Sequence, residues 1–291
     1  MKYHFITQHK NTWPIILQSK VLGVSRSGYY RYLKYLETKA YKERLEIIKE
    51  ISSVSKSFHE SYGSRRIRHE LQKKGFQISR KRTIKLMKEA GVKVRHKKKY
   101  KVTTDSNHKL PIFENLLDRK FQVEGRDLAY VSDITYIWTN EGWLYLAVVI
   151  DLFSRKVVGW SMSSRMNAQL VCDALLMALW LRRPAKGLVH HSDRGSQYAS
   201  WKFRRLIKAY GIQGSMSRKG NCWDNAVAES FFGSLKRERV RWAGYQNRWE
   251  AQQDILSYIT MFYNSKRAHS YLGYMCPNDY EQKFEKNERI A

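Results

Sequence analysis

Three carboxylates in this chain have positions that could support metal-dependent chemistry: Asp133, Asp193 and Glu229. Asp133 lies midway along the apolar segment LAYVSDITYIW, where an unpaired charge would cost several kcal/mol, so it needs a partner such as a metal ion. Asp193 follows the apolar sequence GLVHHS, at the carboxyl end of a predicted strand, where open α/β sheets place their sites. Glu229 lies in a predicted helix that begins after SRKGNCWDNA.

Oxygen ligands of this kind suit the hydrolysis or transfer of phosphodiesters. Without a protein nucleophile, a water or a 3′-hydroxyl must be activated and the charge on the attacking and leaving oxygens neutralised, which two ions about 3.5–4 Å apart can do. Carboxylates prefer Mg²⁺ or Mn²⁺, and the chain has no His/Cys cluster that would favour zinc. We therefore predict Mg²⁺, with Mn²⁺ as an alternative, and two ions per site when nucleic acid is bound.

Each carboxylate also has an ordinary structural interpretation. Asp133 could cap a turn, Asp193 could form an Asx turn with the following Arg-Gly, and Glu229 could be a common helix residue. The ordering of all three on strand, strand and helix favours a joint site. Asp151 and Asp173 fit less well; we interpret both as structural, with Asp151 as the next candidate ligand.

The helix that bears Glu229 carries further candidates on the same face. Lys236 lies seven residues further on, which is almost two turns and about 10 Å along the axis. Gly233 leaves the surface between them bare, and Asn225 lies one turn earlier on the same side. We predict that Lys236 and Asn225 contact a nucleic-acid backbone here, although a surface lysine is the ordinary interpretation of Lys236 in so basic a chain.

The charge of the whole chain indicates a polyanionic partner. The 291 residues carry 54 Lys+Arg against 26 Asp+Glu, a net charge of +28, which favours nucleic acid. An anionic membrane is less favoured, because the longest apolar run, residues 143–150, is too short to span a bilayer. Cys172, Cys222 and Cys276 are far apart, which indicates a reducing compartment and excludes a zinc finger.

The order of elements from residue 127 predicts an α/β fold. Three successive strands (LAYVSDITYIW, WLYLAVVIDLF and VVGWSM) are followed by a helix that Asn167 can cap, a strand GLVHHSD, a helix WKFRRLIKAYG, a strand GIQGSM and a helix from about Cys222 to Arg239. A meander followed by alternating helices and strands predicts a mixed five-stranded sheet with flanking helices, which is the RNase H-like arrangement.

Two short basic helices upstream resemble a helix-turn-helix. One spans SRRIRHELQKKG and ends at Gly75; the other starts after an N-cap candidate, Ser79, and stops at Gly91. The start of the second helix would present to DNA the side chains that we predict as contacts: Arg80, Lys81, Arg82, Thr83 and Lys85. A solvated basic face on a helical spacer is the alternative.

These patterns predict five segments along the chain. Residues 1–55 are a helical N-terminal segment whose role the pattern does not indicate, and 56–95 hold the helix-turn-helix. A basic linker over 96–122 leads to the catalytic core at 123–240, and a helical extension spans 241–291.

The motifs resemble those of a known family, the catalytic (OrfB-type) transposases of bacterial insertion sequences, which are DDE recombinases related to retroviral integrases. The matching motifs are YVSDITYI, LAVVIDLFSRKVVGW, HHSDRGSQYAS, SRKGNCWDNAVAESFFGSLKRE and YNSKRAHSYLGYMCP. Between Asp193 and Glu229 lie 35 residues, the spacing that the family motif records, and Lys236 falls at the family's basic position. YGSRRIRHELQKKG resembles the family's helix-turn-helix, so the likeness covers residues 20–280.

The resemblance implies binding to terminal inverted repeats of double-stranded DNA, cleavage at the element ends and strand transfer by the freed 3′-hydroxyl through a circular intermediate. It further implies a homo-multimer that pairs two ends in the bacterial cytoplasm. In this family an upstream frame supplies another helix-turn-helix and a leucine zipper. Since this chain has no heptad repeat, we expect it to be the catalytic part, with the upstream-frame product as a partner.

Two other functions remain open at this point. An RNase H-like endonuclease without joining activity would release nicked product only. A domesticated DNA-binding protein would keep the fold without catalysis, but the intact set of three carboxylates disfavours it.

Overall fold

The computed structural model describes residues 1–94, 111–218 and 222–288 and divides the chain into two compact units, Met1–Val94 and Arg95–Ala291. Most of the predicted basic linker, residues 95–110, lies outside the described residues. Within the described ranges, no helix combines the length and the apolar character needed to cross a membrane. The five-segment division made from the sequence stays a prediction.

The first unit is helical throughout its described secondary structure. Its helices are α1 (Lys2–Gln8), α2 (Ile15–Leu22), α3 (Arg26–Glu37), α4 (Lys39–Ser57), α5 (Ser64–Lys73) and α6 (Arg80–Glu89).

The predicted helix pair corresponds to α5 and α6. Ile67 and Leu71 are both fully buried, and the Ser79 side chain caps α6 by accepting a hydrogen bond from the Arg82 N–H. Gly75 and Gly91 take positive φ angles of 90° and 67° just after the helix ends, a conformation that glycine adopts without steric cost. The local signals thus indicated both helix boundaries.

The second unit is built on one five-stranded sheet with the order β3-β2-β1-β4-β5. Its strands are β1 (Ala129–Thr139), β2 (Gly142–Asp151), β3 (Val157–Ser163), β4 (Val189–Ser192) and β5 (Gln213–Met216). The first three form an antiparallel meander, while β4 pairs in parallel with β1 and β5 in parallel with β4. The mixed sheet predicted from the sequence is confirmed.

Helices cover both faces of this sheet. On one face lie α7 (Ala168–Arg182) and α9 (Trp201–Ala209), preceded by the short α8 (Ser196–Ala199); on the other lie α10 (Ala226–Leu235) and α12 (Arg248–Ser257). The Asn167 side chain caps α7 as predicted, since it accepts from the Leu170 N–H. This layered arrangement is the RNase H-like fold.

The last predicted helix of the core is not one regular helix. A 3₁₀ turn at Cys222–Asn225 precedes α10, a π-helical segment at Lys236–Val240 follows it, and α11 (Arg241–Ala243) continues from there. The π-helical segment coincides with a buried ion pair between Glu238 and Arg267. The remaining helical segments of the second unit are π-helical Tyr258–Tyr263, 3₁₀ Ser270–Leu272 and α13 (Pro277–Glu288).

Candidate active site

The sheet register brings Asp133 and Asp193 to the same edge. The parallel pairing of β1 with β4 ends at Val131 opposite His191, so each aspartate lies two residues beyond the last pair. Asp133 lies within β1, and Asp193 is the first residue after β4, so both lie where the two strands separate. Past this point β1 pairs only with β2, which leaves room beside Asp133.

Both aspartates also make local hydrogen bonds. The half-buried Asp133 accepts from the Ile134 N–H with its Oδ1 at 2.8 Å. Asp193 Oδ1 accepts from the Gly195 N–H at 2.9 Å. The Asx turn that was the ordinary interpretation of Asp193 is therefore present, and it orients the carboxylate rather than excluding a second role.

Glu229 approaches this edge of the sheet from α10, in the helix layer that packs on one face. It lies in the first turn of α10 and is exposed, while Ala228 and Phe231 bury the other side of the helix against the sheet. An acidic residue in the first turn is favoured by the helix dipole. The packing of the apolar side of α10 on the sheet therefore fixes the position of Glu229 relative to β1.

The charges of Asp193 and Glu229 both act on Asp133. Loss of hydration, followed by the negative charge of Asp193, raises the pKa of Asp133 well above its ordinary value, and the charge of Glu229 adds to this. The Ile134 N–H and the Lys236 ammonium act in the opposite direction. Such influence requires proximity, so strand, strand and helix bring the predicted acidic residues and Lys236 together.

Lys236 lies against β1 rather than in free solvent. Its Nζ is 4.7 Å from the centre of the Tyr136 ring, a distance at which the ring face attracts a cation. Loss of hydration and the nearby Arg241 lower the pKa of Lys236, which the charge of Asp133 partly offsets. A side chain added at Gly233, one turn earlier, would meet nothing within 4 Å, so the surface between Glu229 and Lys236 is open as predicted.

Two of the predicted DNA contacts are wrong because their side chains are buried. Asn225 is 4% exposed and donates through Nδ2 to the Ser132 carbonyl at 3.2 Å; it ties the start of α10 to β1. Thr83 is fully buried, and its hydroxyl donates to the Ser79 carbonyl at 2.9 Å. Neither side chain is available to a nucleic acid.

The other predicted contacts in the first unit lie at its surface. Arg80, Lys81 and Lys85 are exposed on α6. Arg82 is half-buried, and its guanidinium lies 3.3 Å from the Glu43 carboxylate. Three of the five predicted side chains on α6 can therefore contact a ligand without breaking an ion pair among the described residues.

Asp151 has a structural role, as the sequence indicated. It is fully buried, and its Oδ2 accepts from the Ser154 N–H and hydroxyl at 3.1 and 2.8 Å, while Oδ1 accepts from the Asp127 N–H. Burial raises its pKa to about 6. Asp173 is exposed on α7 and hydrogen-bonded to Gln169.

The two histidines before Asp193 are also structural. Burial lowers the pKa of His190 to about 3 and that of His191 to about 4. His190 Nε2 lies 2.7 Å from the Ser132 hydroxyl and His191 Nδ1 lies 2.8 Å from that of Ser215. Both rings are therefore neutral and join β4 to its neighbours.

Two residues near the site were not predicted from the sequence. Among the described residues, the buried Tyr198 hydroxyl has no hydrogen-bond partner. Burial raises the pKa of Tyr198 well above its ordinary value, and the charges of Asp133 and Asp193 raise it further. Asp224, five residues before Glu229, is fully buried. The motifs GSQYAS and GNCWDNA contain them, but nothing in the pattern distinguished either residue from its neighbours.

Asp224 joins three parts of the chain at the entrance to α10. Its carboxylate accepts from Arg119 Nε at 2.9 Å, from the Arg218 guanidinium and N–H at 3.0 Å, and from Asn115 Nδ2 at 3.1 Å. These partners, Arg218 first among them, hold the pKa of Asp224 far below its ordinary value. The ionised carboxylate therefore fixes the turn from which the Glu229 helix starts.

Replacement of Asp224 by asparagine should impair activity through Glu229. The neutral amide cannot bind both guanidinium groups, so the start of α10 loosens and cleavage should fall roughly tenfold or more, the scale for residues that orient metal ligands. The measurement is the initial cleavage rate against Mg²⁺ concentration. We expect a higher half-saturating concentration, and an unchanged one would contradict the positioning role.

The donor set fits a hard divalent cation. Asp193 and Glu229 act on Asp133 at one sheet edge, and the Tyr198 hydroxyl and Asn225 Oδ1 are buried without a hydrogen-bond partner among the described residues. Within residues 1–94, 111–218 and 222–288, no three His, Cys, Asp or Glu side chains are close enough to one another to coordinate a metal ion together. A bound cation would offset the repulsion between these like charges.

Comparison with known proteins gives the family. The family described as "Integrase core domain" matches residues 126–222 and, by a second description of the same name, 229–284; an "HTH-like domain" matches 41–100. Among solved structures, the HTLV-2 integrase catalytic core domain in complex with magnesium (trimeric form) is similar at a TM-score of 0.42 and 17% identity, over 53% of this chain and 96% of that one.

Curated bacterial relatives cover nearly the whole chain. The IS600 uncharacterized 31 kDa protein of Shigella sonnei is 43% identical over 91% of this chain and 97% of its own length. Transposase InsF for insertion sequence IS3A of Escherichia coli (strain K12) is 39% identical over 97% of this chain and 99% of its own. Integrase-core enzymes of this class are DDE-type polynucleotidyl transferases that depend on divalent metal. This chain therefore belongs to the insertion-sequence transposases with a retroviral-integrase-like core, which cleave DNA and transfer its strands.

Proposed function

We propose that Asp133, Asp193 and Glu229 are the catalytic metal ligands of this transposase and that it acts on the terminal inverted repeats of its own element. The observation that carries the proposal is the position of Asp133 and Asp193 where β1 and β4 separate, with Asp193 and Glu229 both near enough to raise the pKa of Asp133. His190 and His191, the histidines next to Asp193, are bound to the Ser132 and Ser215 hydroxyls. The carboxylate oxygens favour Mg²⁺, with Mn²⁺ as an alternative.

The chain supplies positions and charge. Asp133 and Asp193 hold their carboxylates by backbone hydrogen bonds, and Glu229 is held by the packed side of α10. Two divalent ions held by these carboxylates would supply the activation of a water or a 3′-hydroxyl and the neutralisation of charge on the attacking and leaving oxygens. Lys236, oriented by the Tyr136 ring, binds a DNA phosphate across the open surface at Gly233.

The helix-turn-helix formed by α5 and α6 binds the ends of the element. The exposed Arg80, Lys81 and Lys85 lie at and near the start of the second helix, where recognition helices contact base edges and phosphates. Two copies of the chain pair two element ends, the upstream-frame product adds further DNA binding, and DNA holds the assembly at the bacterial nucleoid.

A reaction with radiolabelled element ends tests the proposal. The chain, with Mg²⁺ and a target duplex, should yield both cleaved ends and products in which an end is joined to the target. Cleaved ends without joined product would indicate a nuclease instead. Binding that does not depend on the terminal repeat sequence would contradict the proposed recognition of the ends.

Lys236→Ala should weaken binding to duplex DNA and its dependence on salt. Each phosphate neutralised on duplex DNA contributes about −0.9 to the slope of log K against log salt concentration, so loss of one contact should reduce the slope by about one. Titrations at several salt concentrations measure this. Lys208→Ala, an equal charge change at an exposed site on α9, is the control, and an equal loss there would contradict a specific role for Lys236.

A further inference from the structure

The first three helices contain a helix-turn-helix that the proposed function does not use. Helix α2 ends at Leu22 and α3 begins at Arg26, with Ser25 as its N-cap. Between the helices, Gly23 adopts the left-handed conformation (φ 60°), and the Val24 N–H donates to the Ser19 carbonyl. A turn of this length with a glycine is typical of helix-turn-helix motifs.

Helix α1 packs onto α3 and holds its orientation. The Tyr3 ring stacks on Tyr32, with ring centres 5.6 Å apart, and lies 6.3 Å from the fully buried Tyr29. A side chain at Gly28 would collide with the Tyr3 hydroxyl, so the two helices approach closely there. Lys2 Nζ donates to the Leu22 carbonyl at 2.7 Å, which ties α1 to the end of α2.

The outer face of α3 is basic and polar. Ser27, Tyr30, Arg31 and Lys34 are all exposed and follow one another at intervals of three, one and three residues, so they form one stripe along the helix. Arg26 is exposed at the start of the same helix. Among the residues that the structure describes, neither the two arginines nor Lys34 has an acidic partner.

Charge and chemistry favour DNA as the occupant of this face. Residues 1–37 carry six Lys and Arg against one acidic residue, Glu37. Guanidinium, ammonium and hydroxyl groups are the side chains that contact phosphates and base edges. A helix can enter the major groove when one face is free and another is packed. In α3 the fully buried Tyr29, which lies against Tyr3, marks the packed side.

We infer that α3, over residues 26–34, is a second recognition helix that binds the major groove of duplex DNA at a site separate from that of α6. The inference rests on the proposed function only in taking the element end as the ligand. It assigns to residues 1–37 a role in DNA recognition and gives the chain two helix-turn-helix motifs along one DNA end.

Footprinting of the full chain tests the inference. The probe is a duplex that contains the terminal repeat of the element with its flanking DNA, cut by hydroxyl radicals. The triple variant Arg26→Ala/Arg31→Ala/Lys34→Ala should lose one protected segment of about one helical turn, while protection elsewhere remains. Its affinity should fall about tenfold or more, the scale for loss of direct contacts.

A control variant separates contact from overall charge. Lys39→Ala/Lys42→Ala/Lys49→Ala removes the same charge from exposed positions on α4 and should keep the segment that the first variant loses. Full protection in the α3 variant, or an equal weakening of the whole footprint in both variants, would overturn the inference. Circular dichroism of each variant shows whether it is folded, so that a loss of DNA protection can be distinguished from unfolding of the protein.

An uncharged variant tests base recognition and a competing partner. Ser27→Ala/Tyr30→Phe should change the preferred base sequence within the same segment. If this variant keeps the sequence preference but changes the molecular mass of the chain in DNA-free solution, α3 is a contact between protein copies and the inference fails. An intact α3 footprint without metal-dependent cleavage would instead count against the catalytic assignment alone.

Discussion

Asp193→Asn should abolish metal-dependent cleavage of an element end while leaving the fold and DNA binding nearly intact. Asparagine has the same shape, and its Oδ1 can still accept the hydrogen bond that the Gly195 N–H now gives to Asp193. The Asx turn therefore survives, and only the negative charge is lost. Since each 1.36 kcal/mol is a factor of ten in rate, loss of several kcal/mol of metal-dependent stabilisation lowers the rate on the order of 10³-fold or more.

The measurement is single-turnover cleavage of a labelled end, beside an equilibrium binding titration without cleavage. Asp173→Asn is the matched control, because it removes the same charge from an exposed position on α7 and should cleave at the normal rate. Retained cleavage by the Asp193 variant would remove this residue from the catalytic set. Loss of binding in parallel would indicate a structural defect instead.

The sequence predicted the sheet because its signals are local. β2 is a nearly continuous apolar run that is buried over most of its length, and Ser79 and Asn167 cap the helices that follow them. Such signals depend on neighbours within a few residues. The convergence of Asp133, Asp193 and Glu229 could then be expected from the topology, since strand order brings β1 beside β4.

Other features of the site depend on contacts between distant parts of the chain. Asp224 meets Arg119, which lies 105 residues away, and no periodicity indicates such a pair. Asn225 and Thr83 are predicted from the sequence to contact DNA because of their residue types and their positions on helices. Packing directs both side chains into the interior. For Asn225, helical phase alone could not predict this, because the turn before α10 is 3₁₀ and shifts the start of the helix. Thr83 lies one turn before the buried Leu86 and Met87, on the side of α6 that packs inward.

The ion pair between Glu238 and Arg267 also joins distant parts of the chain, and no local pattern in the sequence indicates it. The Glu238 carboxylate accepts from Arg267 Nε and NH2 and from the Tyr258 hydroxyl, each at 2.8 Å, and both charged side chains are almost fully buried. Arg267 also donates to the Ser234 hydroxyl on α10. This network joins the helix of Glu229 and the π-helical segment that begins at Lys236 to the C-terminal part of the unit.

Glu238→Gln should therefore destabilise the second unit strongly. It leaves the Arg267 guanidinium buried without a counter-charge, which costs about 3–5 kcal/mol. For a unit of this size, 1 kcal/mol corresponds to roughly 2–4 °C in Tm, so the transition of the second unit should fall by about 6–20 °C in scanning calorimetry. Glu285→Gln breaks an exposed pair with Arg126 and, as the control, should change stability by less than about 1 kcal/mol.

A double variant distinguishes the buried charge from the loss of hydrogen bonds. Glu238→Met/Arg267→Met removes both ions and fills their space with apolar side chains, and a buried pair replaced in this way is often neutral in stability. We expect it to recover much of the lost Tm, whereas equal instability of the single and double variants would assign the effect to the hydrogen bonds. If the double variant is stable yet cleaves slowly, the network contributes to activity by holding α10 and Lys236 against β1.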